Sequence, residues 1–231
     1  MDERRAYIKN ALESIRASLP EGVRLLGASK TVSAEYINYA ADCGLDLIGE
    51  NRVNELLEKY DDINKEKLEI HFIGALQSNK VKYIIDKVSL IHSVDRMSLA
   101  EEISRRAIAI GKVMPVLVEV NLGGEATKSG VRPEETADFV RKIAPLKGLT
   151  VAGLMAIPPK SDDKQKNIEF YQKIKQIFID ISHQNVDNVN MRILSAGMSG
   201  DYLEAVECGA NLVRIGSSLF GRRDYGTGQN A

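Results

Sequence analysis

Eight short apolar or β-branched runs recur along the chain: VRLLGAS (23–29), LDLIGE (45–50), EIHFIGAL (69–76), LIHSV (90–94), PVLVEVNL (115–122), TVAGLMAI (150–157), RILSAG (192–197) and LVRIG (212–216). Most are apolar without a break, the pattern of parallel strands covered on both faces. Helical spacing fills the intervals. Val53, Leu56, Leu57 and Tyr60 fall at i, i+3, i+4 and i+7, and Ile168, Tyr171, Ile174, Phe178 and Ile181 mark a longer amphipathic helix. Ser98 and Glu101 have the spacing of a capping box, and Pro133 suits the first position of a helix carrying Ala137, Val140 and Ile143. Leu203 and Val206 belong to a short helix closing near Gly209. A further helix over about 3–18 precedes the first run and stops at Pro20. Such alternation builds either a closed (β/α)8 barrel or a doubly wound open sheet. The count of eight and the lack of a leading Gly-rich nucleotide loop favour a single TIM barrel with an extra N-terminal helix. No Gly/Ser/Pro-rich linker divides the chain, so one domain over 1–231 is expected, with a polar loop at 158–167.

At 231 residues the chain can bury a large core, and its net charge of −1 offers no basic field for nucleic acid. Cys43 and Cys208 make no disulfide framework, and His71, His92 and His183 have no zinc-ligand spacing. The opening MDERRAYIKN has no apolar signal region, and no run is long enough to span a membrane. The expectation is a cytoplasmic protein without a metal, nucleic-acid or membrane partner.

Barrels of this kind carry their chemistry at the C-terminal strand ends. Lys30 follows the first apolar run at such an end. A partly desolvated lysine there can capture a carbonyl as a Schiff base, although lysines at strand ends more often reach to solvent. Gly197-Met198-Ser199-Gly200 leads into a short helix after the seventh strand, with Ser199 placed as its N-cap, and Gly216-Ser217-Ser218 follows the eighth. Paired glycine-containing turns at these two strands suit a phosphate group. Arg214 interrupts the buried run LVRIG and needs an acceptor, either an internal carboxylate such as Glu119 or Glu50, or a ligand atom. An amine-reactive aldehyde and a phosphate in one ligand describe pyridoxal 5′-phosphate.

The segments GASKTVSAEYI (27–37), GENRVNEL (49–56), HFIGALQSNK (71–80), HSVDR (92–96), VNLGGEATKSG (120–130), GLMAIPP (153–159), LSAGMSGDYLEAV (194–206) and NLVRIGSSLFGRRDY (211–225) together resemble the pyridoxal phosphate homeostasis proteins, also called proline synthetase co-transcribed proteins. The resemblance runs over nearly the whole chain. It implies that Lys30 anchors the cofactor and that Asn51 lies beside it. It implies that Ser199 binds the phosphate, that Arg214 faces the pyridine nitrogen, and that Gly216 and Ser217 hold the phosphate through backbone N–H groups. Ala196 and Ser217 stand where many members carry methionine and threonine; the first is expected to loosen packing against the ring, the second to keep the hydroxyl.

The fold implied is that of the N-terminal barrel of alanine racemase. The few residues beyond the eighth run leave no room for that enzyme's second domain, so the resemblance implies a monomeric carrier serving vitamin B6 homeostasis, with apo-enzymes that need the cofactor as further partners and no robust catalysis. The alternative is a racemase-like pyridoxal-phosphate enzyme, for which the sequence offers no obvious tyrosine or cysteine as acid–base partner, Tyr36 and Tyr225 being the residues left open. A third reading is a class I aldolase-like barrel with Lys30 acting on a sugar phosphate. Lys128, Arg222 and Arg223 are either plain solvated charges or a rim steering an anion.

Overall fold

The computed structural model describes residues 2–124, 129–159 and 163–221. The strands are β1 (Arg24–Ala28), β2 (Leu47–Glu50), β3 (Glu69–Phe72), β4 (Leu90–Val94), β5 (Met114–Val120), β6 (Leu149–Ala156), β7 (Val189–Ser195) and β8 (Leu212–Ile215). Each pairs in parallel with the next, and β8 returns to β1 through pairs such as Leu26 with Arg214, closing the barrel. The helices are α1 (Glu3–Ser18), α2 (Ala34–Asp42), α3 (Val53–Lys59), α4 (Met97–Ala109), α5 (Thr136–Ile143), α6 (Lys164–Ser182), α7 (Tyr202–Glu207) and α8 (Ser217–Phe220). Between β3 and β4 the 3-10 turn Ser78–Tyr83 replaces a full α-helix. Among the described residues no helix is long and apolar enough to cross a membrane.

Strand alternation divides the core into two shells. Val116, Val118, Val213 and Ile215 point outward into one continuous cluster with the helix faces, among them Leu99, Ile103, Tyr171 and Ile174. The inner face holds two smaller apolar groups. Leu26, Leu47, Ile73 and Leu212 fill the side of β1–β3 and β8; Leu90, Leu117, Ala152 and Met155 fill the side of β4–β6. Ile193 of β7 touches both. β7 departs from the continuous apolar pattern, with its first half alternating between part-exposed and exposed positions.

Two local expectations are corrected. The capping box at Ser98 and Glu101 does not form, because α4 already begins at Met97. Arg96 occupies the N-cap in extended conformation and is anchored sideways, donating to the Leu76 carbonyl at 2.7 Å and to Asp95 at 2.7 Å. That anchor starts the helix immediately after β4 and puts Ser98 inside its first turn. Pro133 opens a 3-10 turn, Pro133–Glu135, which hands over to α5 at Thr136. The helix start at Glu3 and the chain reversal at Gly209, with φ of 92°, match the sequence reading.

Candidate functional site

Ala28 packs against the inner cluster, so the inner face of β1 leads through residues 26 and 28 toward Lys30 at the C-terminal rim. A clamp outside the barrel fixes the backbone that carries this lysine. Lys59, at the end of α3, donates to the carbonyls of Ser29 at 2.9 Å and Val32 at 3.1 Å, on either side of Lys30. Its ammonium pairs with Glu50 at 2.7 Å and Glu55 at 3.0 Å. The Ser29 hydroxyl donates to Glu50, and the Thr31 amide donates to Glu55. Thr31 is held at φ of 64°, a left-handed conformation that a β-branched residue adopts only under such constraint.

Lys30 and Thr31 wall one cleft with Gly216, Ser217, Phe220 and Arg4. Beside this cleft the loops after β7 and β8 are tied together. The Ser199 hydroxyl oxygen accepts from the amides of Gly216 at 3.3 Å and Ser218 at 3.4 Å. Two backbone donors thus converge on one oxygen, which is the donor geometry an anionic oxygen requires. Ser199 is therefore not the N-cap of α7, as the sequence suggested. Asp201 takes that position, and its carboxylate accepts from the Met198 amide at 2.7 Å.

Arg214 follows Leu212 on the inner face of β8 and is buried. Neither carboxylate considered from the sequence bonds to it. Glu50 follows Gly49, where an added Cβ would strike the inner residues Leu26 and Ile73, so Glu50 points outward to Lys59. Glu119 accepts from Ser129 at 2.9 Å, and burial pushes its carboxyl above the usual range. Arg214 instead donates through Nη1 to the carbonyl and hydroxyl of Ser195, at 2.8 and 2.7 Å, and through Nη2 to the Ala156 carbonyl at 2.9 Å. Three of its five N–H groups are used this way.

Asn51 lies two residues beyond Gly49 on the inner face, and its side-chain Oδ1 is buried with no hydrogen-bond partner among the described residues. Its backbone is pressed against Gly74, where an added Cβ would lie 2.0 Å from the Asn51 carbonyl oxygen. Ala196 belongs to the outer core and is fully buried there, so its small size acts on the packing between barrel and helices rather than at the mouth. Tyr36 is directed to α1, its hydroxyl 3.4 Å from Asp2 and its ring under the Arg4 guanidinium at 4.4 Å. Lys128, Arg222, Arg223 and Tyr225 lie outside the described residues.

The sequence places Ser195 among the polar residues at the strand ends but assigns no role to it, nor to His92, His71 and Glu69, the four residues that stand behind Arg214. His92 Nδ1 lies 3.2 Å from the Ser195 hydroxyl, His92 Nε2 lies 3.0 Å from His71 Nδ1, and His71 Nε2 lies 2.8 Å from Glu69. Their signal was faint but present: Glu69 and His71 are two apart on one strand face, and His92 falls in the next strand.

The model of the alanine racemase N-terminal domain family matches residues 5–224. A pyridoxal phosphate homeostasis protein of Aquifex aeolicus is 46% identical, with 87% of this chain and 88% of that protein covered. One from Pseudomonas aeruginosa is 37% identical over 90% of this chain and 87% of its own length. The chain belongs to the pyridoxal phosphate homeostasis protein family. Among similar solved structures is PipY of Synechococcus elongatus with pyridoxal phosphate bound, 30% identical with a TM-score of 0.85, the match covering 93% of this chain and all of that one. An alanine racemase of Clostridium difficile shares the fold at 19% identity and a TM-score of 0.78; this chain covers 57% of it and is covered to 95%.

Proposed function

We propose that the protein binds pyridoxal 5′-phosphate at the C-terminal mouth of its barrel and serves vitamin B6 homeostasis in the cytoplasm as a monomeric, single-domain carrier that hands the cofactor to apo-enzymes. The observation that carries this reading is that Lys30, Gly216 and Ser217 line one cleft: a primary amine stands beside the loop whose amides, at Gly216 and Ser218, converge on a single hydroxyl oxygen.

The donor set fits that ligand group by group. Bound there, the cofactor supplies an aldehyde that an amine can capture. Lys30 is the amine, held on a backbone whose flanking carbonyls Lys59 fixes. Ser199 and the amides of Gly216 and Ser217 are the phosphate donors, and the buried Oδ1 of Asn51 is an acceptor in want of a donor. Arg214 would donate to the ring nitrogen. Burial lowers the guanidinium's tendency to hold its proton, yet its ordinary value is so high that the group stays a cation and a pure donor. A pure donor keeps the ring nitrogen unprotonated, which makes the ring a weaker electron sink and favours holding the cofactor over transforming an amino acid.

The direct test is borohydride reduction of the full chain mixed with pyridoxal phosphate, followed by peptide mass analysis. A pyridoxyl adduct on Lys30, lost in Lys30→Ala, is expected; an adduct spread over surface lysines sinks the assignment. Chiral analysis of alanine after long incubation separates carrier from racemase, because turnover above that of free cofactor contradicts the carrier. Ser199→Ala is expected to weaken cofactor retention about tenfold, the loss of one hydrogen bond to a charged group. Equilibrium dialysis measures it, and unchanged retention would remove Ser199 from the phosphate site.

A further inference from the structure

We infer that Glu69, His71, His92 and Ser195 are positioning residues for Arg214, forming a one-way hydrogen-bond relay through the barrel interior that holds the guanidinium from the opposite end of the barrel. The contacts of the relay are geometric and its proton order follows from the burial of the two imidazoles; only its consequence at the site rests on the reading of Arg214 as a cofactor-facing donor.

The relay starts at the N-terminal end of β3. Glu69 accepts from Arg24 at 2.7 Å, from Ser89 at 2.7 Å and from His71 at 2.8 Å. These donors, His71 foremost, hold its carboxyl well below the usual carboxylate range, so it is ionised and can only accept. His71 Nε2 must therefore carry a proton. Burial pushes both imidazoles down, so each is neutral and has one N–H. With its proton on Nε2, His71 presents a bare Nδ1, which can only accept from His92 Nε2 across 3.0 Å. His92 then presents its own bare Nδ1, which must accept from the Ser195 hydroxyl at 3.2 Å. That leaves the Ser195 oxygen to accept from Arg214 Nη1 at 2.7 Å. With both imidazoles neutral, every proton points the same way, from the cation on β8 to the carboxylate on β3.

The path is not a by-product of strand pairing. β4 neighbours β3 and β5, so the step from His92 to Ser195 on β7 crosses the lumen. It does so where the inner apolar core is split into two groups. An apolar filling would pack such a barrel more simply, and a partly satisfied chain would be worse than none. The complete chain instead gives the buried guanidinium a distant counter-charge while leaving its outward N–H groups free of a carboxylate. An adjacent Asp or Glu would compete with a ring nitrogen for those donors.

The test uses the full chain without ligand first. Long-range proton–nitrogen spectra of the imidazoles are expected to show His71 and His92 neutral with the proton on Nε2. Glu69→Leu and Ser195→Ala each cut the relay; both are expected to scramble the His92 tautomer and speed solvent exchange of the Arg214 guanidinium protons about tenfold, one hydrogen bond's worth of hold. Glu69→Gln keeps an acceptor for His71 and is expected to restore both readouts, which a general loss of packing would not. Should Glu69→Leu fail to fold, Ser195→Ala decides alone. Added pyridoxal phosphate is then expected to show a shifted visible band in the two cutting variants and a wild-type band in Glu69→Gln. Wild-type tautomers and exchange in both cutting variants overturn the relay, as does an Nδ1–H tautomer in the native protein. A native protein that takes up no pyridoxal phosphate overturns the proposed function instead, and the relay is still decided by the ligand-free readouts.

Discussion

Replacing Lys59 with methionine is expected to cost about 3–5 kcal/mol of folding stability, the penalty for leaving a buried charge without its partner. Glu50 is fully buried, and its Oε1 takes both the ammonium of Lys59 and the hydroxyl of Ser29, while Oε2 has no partner among the described residues. Burial pushes the Glu50 carboxyl up, and Lys59 is the main force holding it down. Without the lysine, the carboxylate must either stay charged in a dry site or take up a proton. Urea unfolding of the single variants and of Lys59→Met/Glu50→Leu separates the contributions. The double variant is expected to recover most of the loss, since an apolar pair replaces the ion pair. Cofactor retention is expected to stay impaired in it, because the carbonyls of Ser29 and Val32 still lack the donor that fixed the Lys30 backbone. A Lys59→Met protein within about 1 kcal/mol of wild type would mean that this pair behaves as a surface ion pair, contrary to its burial.

That contrast separates two jobs within one cluster. The carboxylate–ammonium pair serves stability, and the ammonium–carbonyl contacts serve geometry. The placement follows from strand parity. Gly49 lies on the inner face of β2 and Asn51 follows just beyond its end, so Glu50 between them is forced outward, against α3 and the outside of β1. The chemistry of the mouth and its support thus come from neighbouring residues of the same GEN triplet.

Parity also explains what the sequence made legible and what it hid. The eight strands were readable because strands buried on both faces need apolar residues at nearly every position. Lys30, Gly216 and Ser217 were readable because a barrel directs its strand ends to one rim, and the structure does bring them to one cleft. The partners of Arg214 were not. A search for an ion pair weighs carboxylates, and the acceptors turned out to be two carbonyls and a hydroxyl, whose positions depend on register rather than residue type. Ser199 had the right neighbours for an N-cap, but the turn runs two residues further to Asp201, which frees its hydroxyl for the loop after β8. His71 and His92 were dismissed because metal and catalytic motifs are read by local spacing, whereas these two meet only because β3 and β4 are neighbours.

The same pair of histidines is expected to make the protein acid-sensitive. Their ordinary value is 6.5, and burial lowers both in the folded state. The unfolded chain therefore binds protons that the folded chain refuses. Stability is present in full above the unfolded value and is lost as pH falls through it, with a slope approaching about 2.7 kcal/mol per pH unit for two protons. The surroundings of the pair reinforce this direction: Arg214 faces His92 and Arg24 lies beyond His71, and both cations oppose a new positive charge. Glu69 favours protonation of His71, but burial outweighs it. Its own carboxyl, held below the ordinary 4.5, adds a further loss at lower pH in the same sense. Glu50 and Glu119 work the other way, because burial raises both, and a raised carboxyl stabilises the fold as acid protonates it. The histidine contribution is isolated by comparison with His71→Gln/His92→Gln, measured by urea unfolding at several values between about pH 7 and pH 5. The double variant is expected to be less stable near neutrality and much flatter toward acid. Parallel slopes in the two proteins would mean that the imidazoles accept protons inside the fold. A barrel interior able to solvate two imidazolium ions could not impose the single proton order on which the hold over Arg214 depends.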